Sequence, residues 1–584
     1  MKKYSIIRYK IVDKNLEKIT EISEEHEKKA LHSSNVIYLY RNSKNIKFYI
    51  GQTSHFYTRH KEHYTNDLDV FDKACFDEVM VVVSQEFNMS AIYDIESQLI
   101  SYFMADYDTS KNKVMYDSEK VLNKNKGLGV NTYYNREIIE NEIIIPLWEE
   151  VLYPLNWVKS PKIKTLRNNV LIKYSPIKEL SNEQEELILE ILNNSNKNYV
   201  VNGTAGTGKT LVLVRLIAFL LEETNKKIGV VVLPNWIDKI NQIFSVYGLK
   251  RDNVMIMTST MLINTRKKFD IIIIDEAQKL SRKYGRQQPS FNEVYKIEEY
   301  KNCQSHLEIL QKMGSQIVLM YDVLQAIRPC NIDRYTFKDL TKDYEKRFKK
   351  TQFRIHVPKG KSYTSEDYID GIKYLLYKDT GLLESEYVSF NPNFNREVFN
   401  DKSLDAYFGY VLDQPLHQLA NWLQEDRNFF PEHVNRILAG LFVDWKLSDG
   451  SKIEKKHFFE NEMALRWNST QNDWLFIKAK DAEEQVGSVF AVQGLDLNKV
   501  GVLIGPDLKV ENGSLVADVS NFRNQNGVFT KEEMKNPDNQ KEFTLFVLNI
   551  YYILLTRGID GIRIGFWNNK EFKNYMEKTL NIKK

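Results

Sequence analysis

Eight residues constrain this chain more than any others: Gly203-Thr204-Ala205-Gly206-Thr207-Gly208-Lys209-Thr210. Ahead of them, Lys197 to Val201 ends in an apolar pair suited to a buried strand. Behind them, Leu211 to Leu221 is apolar apart from Arg215 and reads as a helix. Strand, glycine-rich turn and helix in that order make a cradle for phosphate. Glycines at 203, 206 and 208 let backbone N–H groups close around oxygens with no Cβ in the way, and the helix points its positive end at the same oxygens. Lys209 has the reach for β- and γ-phosphates, and the Thr210 hydroxyl can hold Mg²⁺. The ligands expected here are ATP and Mg²⁺ (or Mn²⁺).

A second stretch supports the first. Phe269-Asp270-Ile271-Ile272-Ile273-Ile274 is a continuous apolar run of the kind that suits a central parallel strand, and it ends in Asp275-Glu276-Ala277-Gln278. Carboxylates at the C-terminal end of such a strand fall where open α/β sheets bind ligands. Asp275 is expected to hold Mg²⁺ and Glu276 to orient the attacking water.

With 584 residues, 42% of them apolar and 12% aromatic, the chain can build several real cores. A net charge of +3 leaves any nucleic-acid groove to local clustering. Cys75, Cys303 and Cys330 form no metal-type pair and fit a reducing compartment. Residues 1–8 lack the apolar core of a signal peptide, and no apolar run reaches membrane-spanning length. The expectation is a soluble, cytoplasmic protein with no membrane partner.

From the N-terminus, residues 1–34 are strongly charged, with a solvated helix over Glu21–Lys29. Val36–Tyr40 and Phe48–Gly51 read as a hairpin about the polar turn Asn42–Asn45. A helix over Ser54–Tyr64 carries Arg59 and His63 on one face. Another, about Ser90–Phe103, sets Glu96 beside an apolar stripe. Tyr38, Tyr49-Ile50-Gly51, Arg59, His63, Glu96 and Asn131 after Gly127-Leu128-Gly129 resemble the GIY-YIG nuclease family over residues 35–135, with Val36 where that family has its first glycine. The resemblance implies that Glu96 binds one divalent metal and that a tyrosine, Tyr38 or Tyr49, helps to activate water. Arg59 would stabilise charge on the scissile phosphate, His63 would position or assist, and Asn131 would be structural. Phosphodiester hydrolysis needs such a metal and such a fixed cation. A tyrosine with a pKa of about 10 is a poor base unless a neighbour lowers it.

Residues 136–177 form a connector interrupted by Pro146, Pro154, Pro161 and Pro176, with Trp148 and Trp157 suggesting that it packs. Leu180–Gln184 opens a helix, and Gln184, just ahead of the phosphate loop, resembles the adenine-reading glutamine of superfamily 1 helicases, with an ordinary exposed helix glutamine as the rival reading. Lys227–Pro234 and Val254–Thr258 read as strands. So does Ile317–Asp322, which with Gln325 nearby resembles the helicase segment whose glutamine senses the γ-phosphate. Between them, the 281–310 region carries Arg282, Lys283, Tyr284, Arg286 and Phe291. It suits either single-strand binding or a solvated insertion.

Further on come helices through Tyr368–Leu375 and Gln418–Trp422 and a strand over Arg436–Trp445. Glu484–Asp496 follows, then a strand over Val500–Gly505, and last Ile562–Ile564, which closes the sheet. With Thr351-Gln352-Phe353-Arg354, Val492-Gln493-Gly494 and Arg557-Gly558, residues 178–580 resemble the DUF2075 group of superfamily 1 helicase domains, related to the helicase part of Schlafen-like proteins. That likeness implies that Arg354 and Arg557 reach the γ-phosphate and that Gln493-Gly494 couples nucleotide to strand. Phe490 departs from the polar residue expected there.

The expected fold is therefore α/β: a small α+β GIY-YIG nuclease domain (35–135) after a charged segment (1–34), a connector (136–177), then two tandem RecA-like doubly wound parallel-sheet domains (178–345 and 346–584). By resemblance, the expected function is an ATP-dependent nuclease–helicase acting on nucleic acid, DNA favoured over RNA, in bacterial defence against phage or plasmid. A homo-oligomer or a defence-system partner is left open. The alternatives are a motor with a non-cutting front domain and a nucleotide-gated switch.

Overall fold

A computed structural model gives the architecture. It describes residues 3–19, 31, 34–66, 68–108, 113–114, 135–163, 166, 172, 174, 180–203, 206–246, 249, 252–287, 289–349, 354–431, 433–446, 449, 452, 454–468, 482–492 and 497–583. By compactness the chain divides into two units, one of 1–193 with 210–228 and 236–256, the other of 194–209 with 229–235 and 257–584. Among the described residues no helix is long and apolar enough to cross a membrane.

In the first unit, β1 (Ser5–Val12), β2 (Asn15–Lys18), β3 (Val36–Asn42), β4 (Lys47–Thr53) and β5 (Glu78–Val83) form an antiparallel sheet in the order β2-β1-β5-β3-β4. Three helices accompany it: α1 (Phe56–Asn66), α2 (Leu68–Ala74) and α3 (Met89–Ala105). Side chains alternate between two cores, so a strand buried on both faces reads as an unbroken apolar run. One face gathers Ile7, Tyr9, Tyr38, Tyr40, Val79 and Val81 with Phe56 of α1 and Phe71 of α2. On the other, Phe48 meets Phe103 of α3 with ring centroids 4.9 Å apart. Asn88 caps α3 by accepting from the Ala91 amide.

Residues 5–18 had been expected in a charged segment ahead of the fold. They form two strands of this sheet instead, and β1 is paired along both edges. Its charges disguised it: Arg8 is ion-paired with Glu78 on β5, a partner 70 residues away that no local pattern reveals. The expected hairpin and both expected helices are present, whereas β5 had not been foreseen. Helical turns at Arg136–Ile139, Glu140–Ile144 and Leu147–Leu152 follow. Trp148 packs 5.5 Å from Phe103, and Asp106 accepts from the amides of Lys159 and Ser160, so this stretch packs as its tryptophans suggested. The helix carrying Gln184 is α4 (Asn182–Asn193).

The second unit holds two sheets. In the first, β6 (Tyr199–Gly203), β7 (Ile228–Val231), β8 (Phe269–Ile274), β9 (Gly314–Tyr321) and β10 (Glu345–Lys349) run in the order β7-β8-β9-β6-β10, with β8, β9, β6 and β10 parallel to one another. Lys209 begins helix α5 (Lys209–Glu223), whose remaining residues are counted in the first unit, as is most of Val254–Met257, a strand as expected.

The second sheet comprises β11 (Phe408–Tyr410), β12 (Arg436–Ala439), β13 (Phe458–Glu460), β14 (Met463–Trp467), β15 (Gln485–Gly487), β16 (Leu497–Ile504) and β17 (Gly558–Phe566). Its order is β11-β17-β16-β12-β15-β14-β13, parallel except for β13. Helices α6 (Ser365–Tyr377), α7 (Pro415–Phe429) and α8 (Pro537–Leu555) are among those that belong with it. Gly501 and Gly565 give Leu419 of α7 its seat: a Cβ at either would stand 3.1 or 3.0 Å from that side chain.

The structure departs from expectation in three places here. β10 belongs to the first sheet, so that sheet runs past residue 345. The strand expected over Arg436–Trp445 stops at Ala439, where the Gly440–Phe442 segment turns away and a Cβ at Gly440 would meet the Tyr551 hydroxyl at 2.0 Å. Ile562–Ile564 lies inside the sheet, with β11 outside it.

Candidate functional site

Three neighbouring parallel strands, β8, β9 and β6, end side by side in the second unit. That adjacency brings Asp275-Glu276, Asp322 and the glycine loop to one edge of the sheet, the edge where open α/β folds take ligands. Gly206 and Gly208 have φ of 89° and 77°, left-handed conformations that glycine adopts without cost. The Lys209 ammonium donates to the Gly203 carbonyl and stands 3.7 Å from Asp322.

Asp322 in turn accepts from the Gln325 amide at 2.8 Å, and its backbone N–H donates to Gln278 Oε1 at 3.1 Å. The other end of Gln278 donates to Glu276. Lys279 is ion-paired with Glu276 at 3.5 Å, and among the described residues its buried Nζ makes no closer hydrogen bond. Glu276 itself sits at φ 51°, a left-handed turn for a residue with a side chain. Arg557, 2% exposed and two residues past the end of α8, adds its positive field to Glu276 and Lys279.

Three carboxylates thus share one buried space with three cations. Burial pushes Asp275 above the usual carboxylate range and the charge of Glu276 adds to it, while Lys209 and Lys279 pull the other way. Burial also acts on Glu276, but Lys279, Lys209 and Arg557 outweigh it and hold that carboxyl low. Burial pushes Asp322 up and the Lys279 ammonium down. This arrangement fits an anionic ligand with a hard divalent cation. A cation beside Asp275 would relieve the crowding of carboxylates, oxygen is the donor that Mg²⁺ prefers, and the Lys279 ammonium, ion-paired with Glu276, would gain a further partner from a phosphate oxygen.

The other expected residues fall as follows. Thr210 is the second residue of α5, and Gln184 is buried, accepting from the Ser181 amide through its side chain. Arg354 donates to the carbonyl of Thr556, the residue before Arg557. Thr204, Gln493 and Gly494 lie outside the described residues, as does Asn131. Phe490 is exposed, with the guanidinium of Arg328 4.4 Å from its ring centroid. In the 281–310 region, Arg282 donates to the Pro329 carbonyl and Tyr284 to Glu533, so those two side chains serve internal contacts. Lys283 and Arg286 are exposed. Sequence reasoning gave no role to Gln278, the last residue of the quoted motif, or to Lys279 after it.

In the first unit, the Tyr38 hydroxyl lies 2.8 Å from His63 Nε2 and also bonds Arg59. Arginine can only donate, so the Tyr38 oxygen accepts from Arg59, while which partner donates in the Tyr38–His63 bond follows the His63 tautomer. Arg59 is ion-paired with Glu62 at 3.1 Å. Tyr49 is half-buried and lies edge-on to His63, with centroids 5.0 Å apart. Glu96 is half-buried on α3, and desolvation pushes its carboxyl up to about 8, with Arg59 pulling it down. Burial first, then the field of Tyr49, pushes Tyr38 well above the ordinary tyrosine range, which keeps it neutral.

A second pair was not foreseen. Tyr40 bonds His60 Nδ1 at 2.6 Å, and His60 Nε2 lies 3.0 Å from the Lys14 carbonyl. A carbonyl can only accept, so this fixes the neutral tautomer with the proton on Nε2. Among the described residues no group of three or more His, Cys, Asp and Glu side chains could hold a metal ion on its own.

A family model described as Schlafen group 3, DNA/RNA helicase domain, matches residues 196–568. The uncharacterized protein YPL245W of Saccharomyces cerevisiae is 22% identical over 436 residues, spanning 66% of this chain and 88% of its own. Among solved structures, the Pyrococcus furiosus Hef helicase domain is 11% identical with a TM-score of 0.30, covering 70% of this chain and 98% of its own. The DUF1998 helicase MrfA bound to DNA is 9% identical with a TM-score of 0.29, covering 69% and 51%. Scores this low carry no weight for fold or function.

Proposed function

The chain belongs to the Schlafen group 3 DNA/RNA helicase domain family over residues 196–568, and from that premise we propose that it is a nucleic-acid-dependent ATPase of the helicase type, acting on DNA in preference to RNA. The observation that carries this reading is the meeting of Lys209, Asp275, Glu276, Asp322 and Gln325 at one sheet edge, within the field of Arg557. Thr210 and Asp275 would hold a divalent cation, which when bound neutralises charge on the phosphates. Lys209 leaves Asp322 and the Gly203 carbonyl for β- and γ-phosphate oxygens.

Glu276, kept ionised by its cationic neighbours, accepts a hydrogen bond from the attacking water and takes its proton. Arg557 stabilises the charge that develops on the transferred phosphoryl group, and Arg354 braces the carbonyl next to it. Gln325, bonded to Asp322, reports whether the γ-phosphate is there. Gln184 reads the adenine, and Gln493-Gly494 links nucleotide to strand. Glu276→Gln tests the reading: ATP should still bind while hydrolysis falls by about 10² or more, the scale of a positioned base. Undiminished turnover would refute it.

The first unit supports a second activity, metal-dependent phosphodiester cleavage of the GIY-YIG type. The observation favouring it is the grouping of Tyr38, His63, Arg59 and Glu96 through direct bonds and shared fields. Glu96 would hold the cation. Arg59 would stabilise phosphate charge, and Tyr49, the more accessible tyrosine, would guide water. Neutral Tyr38 would fix Arg59 and His63. Cutting and ATP use in one chain suit defence against phage or plasmid DNA. Glu96→Ala should abolish cleavage of supercoiled DNA with Mg²⁺ while sparing ATP hydrolysis. Cleavage by that variant at the wild-type rate would remove the nuclease assignment.

A further inference from the structure

Asn549 lies in the middle of α8, 3% exposed, eight residues before Arg557. Its amide nitrogen donates twice, to the Val323 carbonyl at 3.2 Å and to the Ala326 carbonyl at 2.6 Å. Its oxygen accepts from the Tyr377 hydroxyl of α6 at 2.7 Å. Two carbonyls can face only the NH₂ end of the amide, so its orientation is fixed and its polar groups are all engaged. The two carbonyls bracket the turn that contains Gln325, and that turn begins at Asp322, beside Lys209.

At the other end, α8 runs without a break to Leu555, Thr556 back-bonds to the Tyr552 carbonyl, and the Arg557 amide donates to the Leu554 carbonyl. A buried helix of this length is stiff on the scale of one side chain, and its stretch from Asn549 to Leu555 spans about 9 Å. Asn549 bonds the turn after β9 to the helix that leads into Arg557.

We infer that Asn549 is a positioning residue for ATP hydrolysis: it clamps the Gln325 turn to α8, so that Arg557 is held where the turn's response to the γ-phosphate places it. This rests on the ATPase reading above. It differs from simple packing in that the amide acts through Arg557, and a loss at Asn549 should therefore be hidden once the arginine is gone.

The test is a double-mutant cycle on ATP hydrolysis by the full chain with saturating single-stranded DNA. Asn549→Asp keeps the shape and the acceptor for Tyr377 but removes both donors. Its kcat should fall about tenfold with KM for ATP within about twofold of wild type. Tyr377→Phe removes only the bond that orients the amide; it should cost about threefold in kcat and carries the same cycle if Asn549→Asp does not fold. In an Arg557→Ala background neither change should lower single-turnover hydrolysis further.

Losses that multiply with Arg557→Ala, kcat and KM changed together, or wild-type kcat in both variants would overturn the inference while leaving the ATPase reading intact. Absence of any Lys209-dependent hydrolysis in the wild type would overturn that reading, and the inference with it.

Discussion

The Tyr38 hydroxyl lies 2.8 Å from His63 Nε2, and the room for that ring comes from Gly51, its partner across the β3–β4 ladder. A Cβ at residue 51 would stand 2.4 Å from both Cζ and the hydroxyl oxygen of Tyr38. A glycine at residue 51 is thus explained by a close approach of side chain to backbone.

Gly51→Ala is accordingly expected to push Tyr38 off His63 and Arg59, at a cost of about 1–3 kcal/mol from overpacking. Denaturant unfolding and DNA cleavage should both suffer while ATP hydrolysis is untouched. Unchanged stability with full cleavage would mean that Tyr38 can sit elsewhere without consequence.

Arg557 is buried in the field of an ionised carboxylate and an ammonium, a setting that suits a planar, permanently charged guanidinium. Arg557→Ala should lower kcat for ATP by about 10³ with ATP affinity nearly kept, the range of a cation that acts in the transition state. Arg557→Lys should recover little, because a lysine there is a point charge without the fork of donors. Substantial rescue by lysine in steady-state kinetics would mean that charge alone suffices.

Asp507 is buried beside Tyr551, and desolvation pushes its carboxyl up to about 7 although the Tyr551 hydroxyl pulls it down. Its folded-state pKa therefore lies above its unfolded value. The folded state binds the extra proton between about pH 4 and 7, so this group's contribution is complete below pH 4 and is lost as pH rises through 7. Asp507→Asn keeps an acceptor for Tyr551 and removes that titration. Its advantage over wild type in urea unfolding should be about 1–3 kcal/mol at pH 8 and should shrink towards pH 5. An advantage that does not vary with pH would show that Asp507 is ionised throughout.

Much of this was legible in sequence because the signals are local. The loop from Gly203 to Thr210 and the acid pair after Phe269–Ile274 need only neighbours in the chain, and the strands and helix they call for are present. What was missed depends on partners far away. β1 looked like a charged segment because Arg8 meets Glu78, and Glu78–Val83 went unread because its company is β1 and β3. The strand expected through Trp445 fails at Gly440, where Tyr551 of α8 occupies the space. Lys279 reads as an ordinary surface lysine until the fold buries it against Glu276. Asn549 sits unmarked in an apolar helix, and its value comes from two carbonyls more than 220 residues upstream.

The most direct test of the account is steady-state ATP hydrolysis by the purified full chain with Mg²⁺, with and without single-stranded DNA, comparing wild type with Lys209→Ala. Wild type should hydrolyse ATP and respond to DNA. Lys209→Ala should lose at least about 10² in rate, the scale of removing one charge-stabilising group from a phosphoryl-transfer site. Equal hydrolysis by the two proteins, or none by wild type under any DNA or RNA condition, would contradict it.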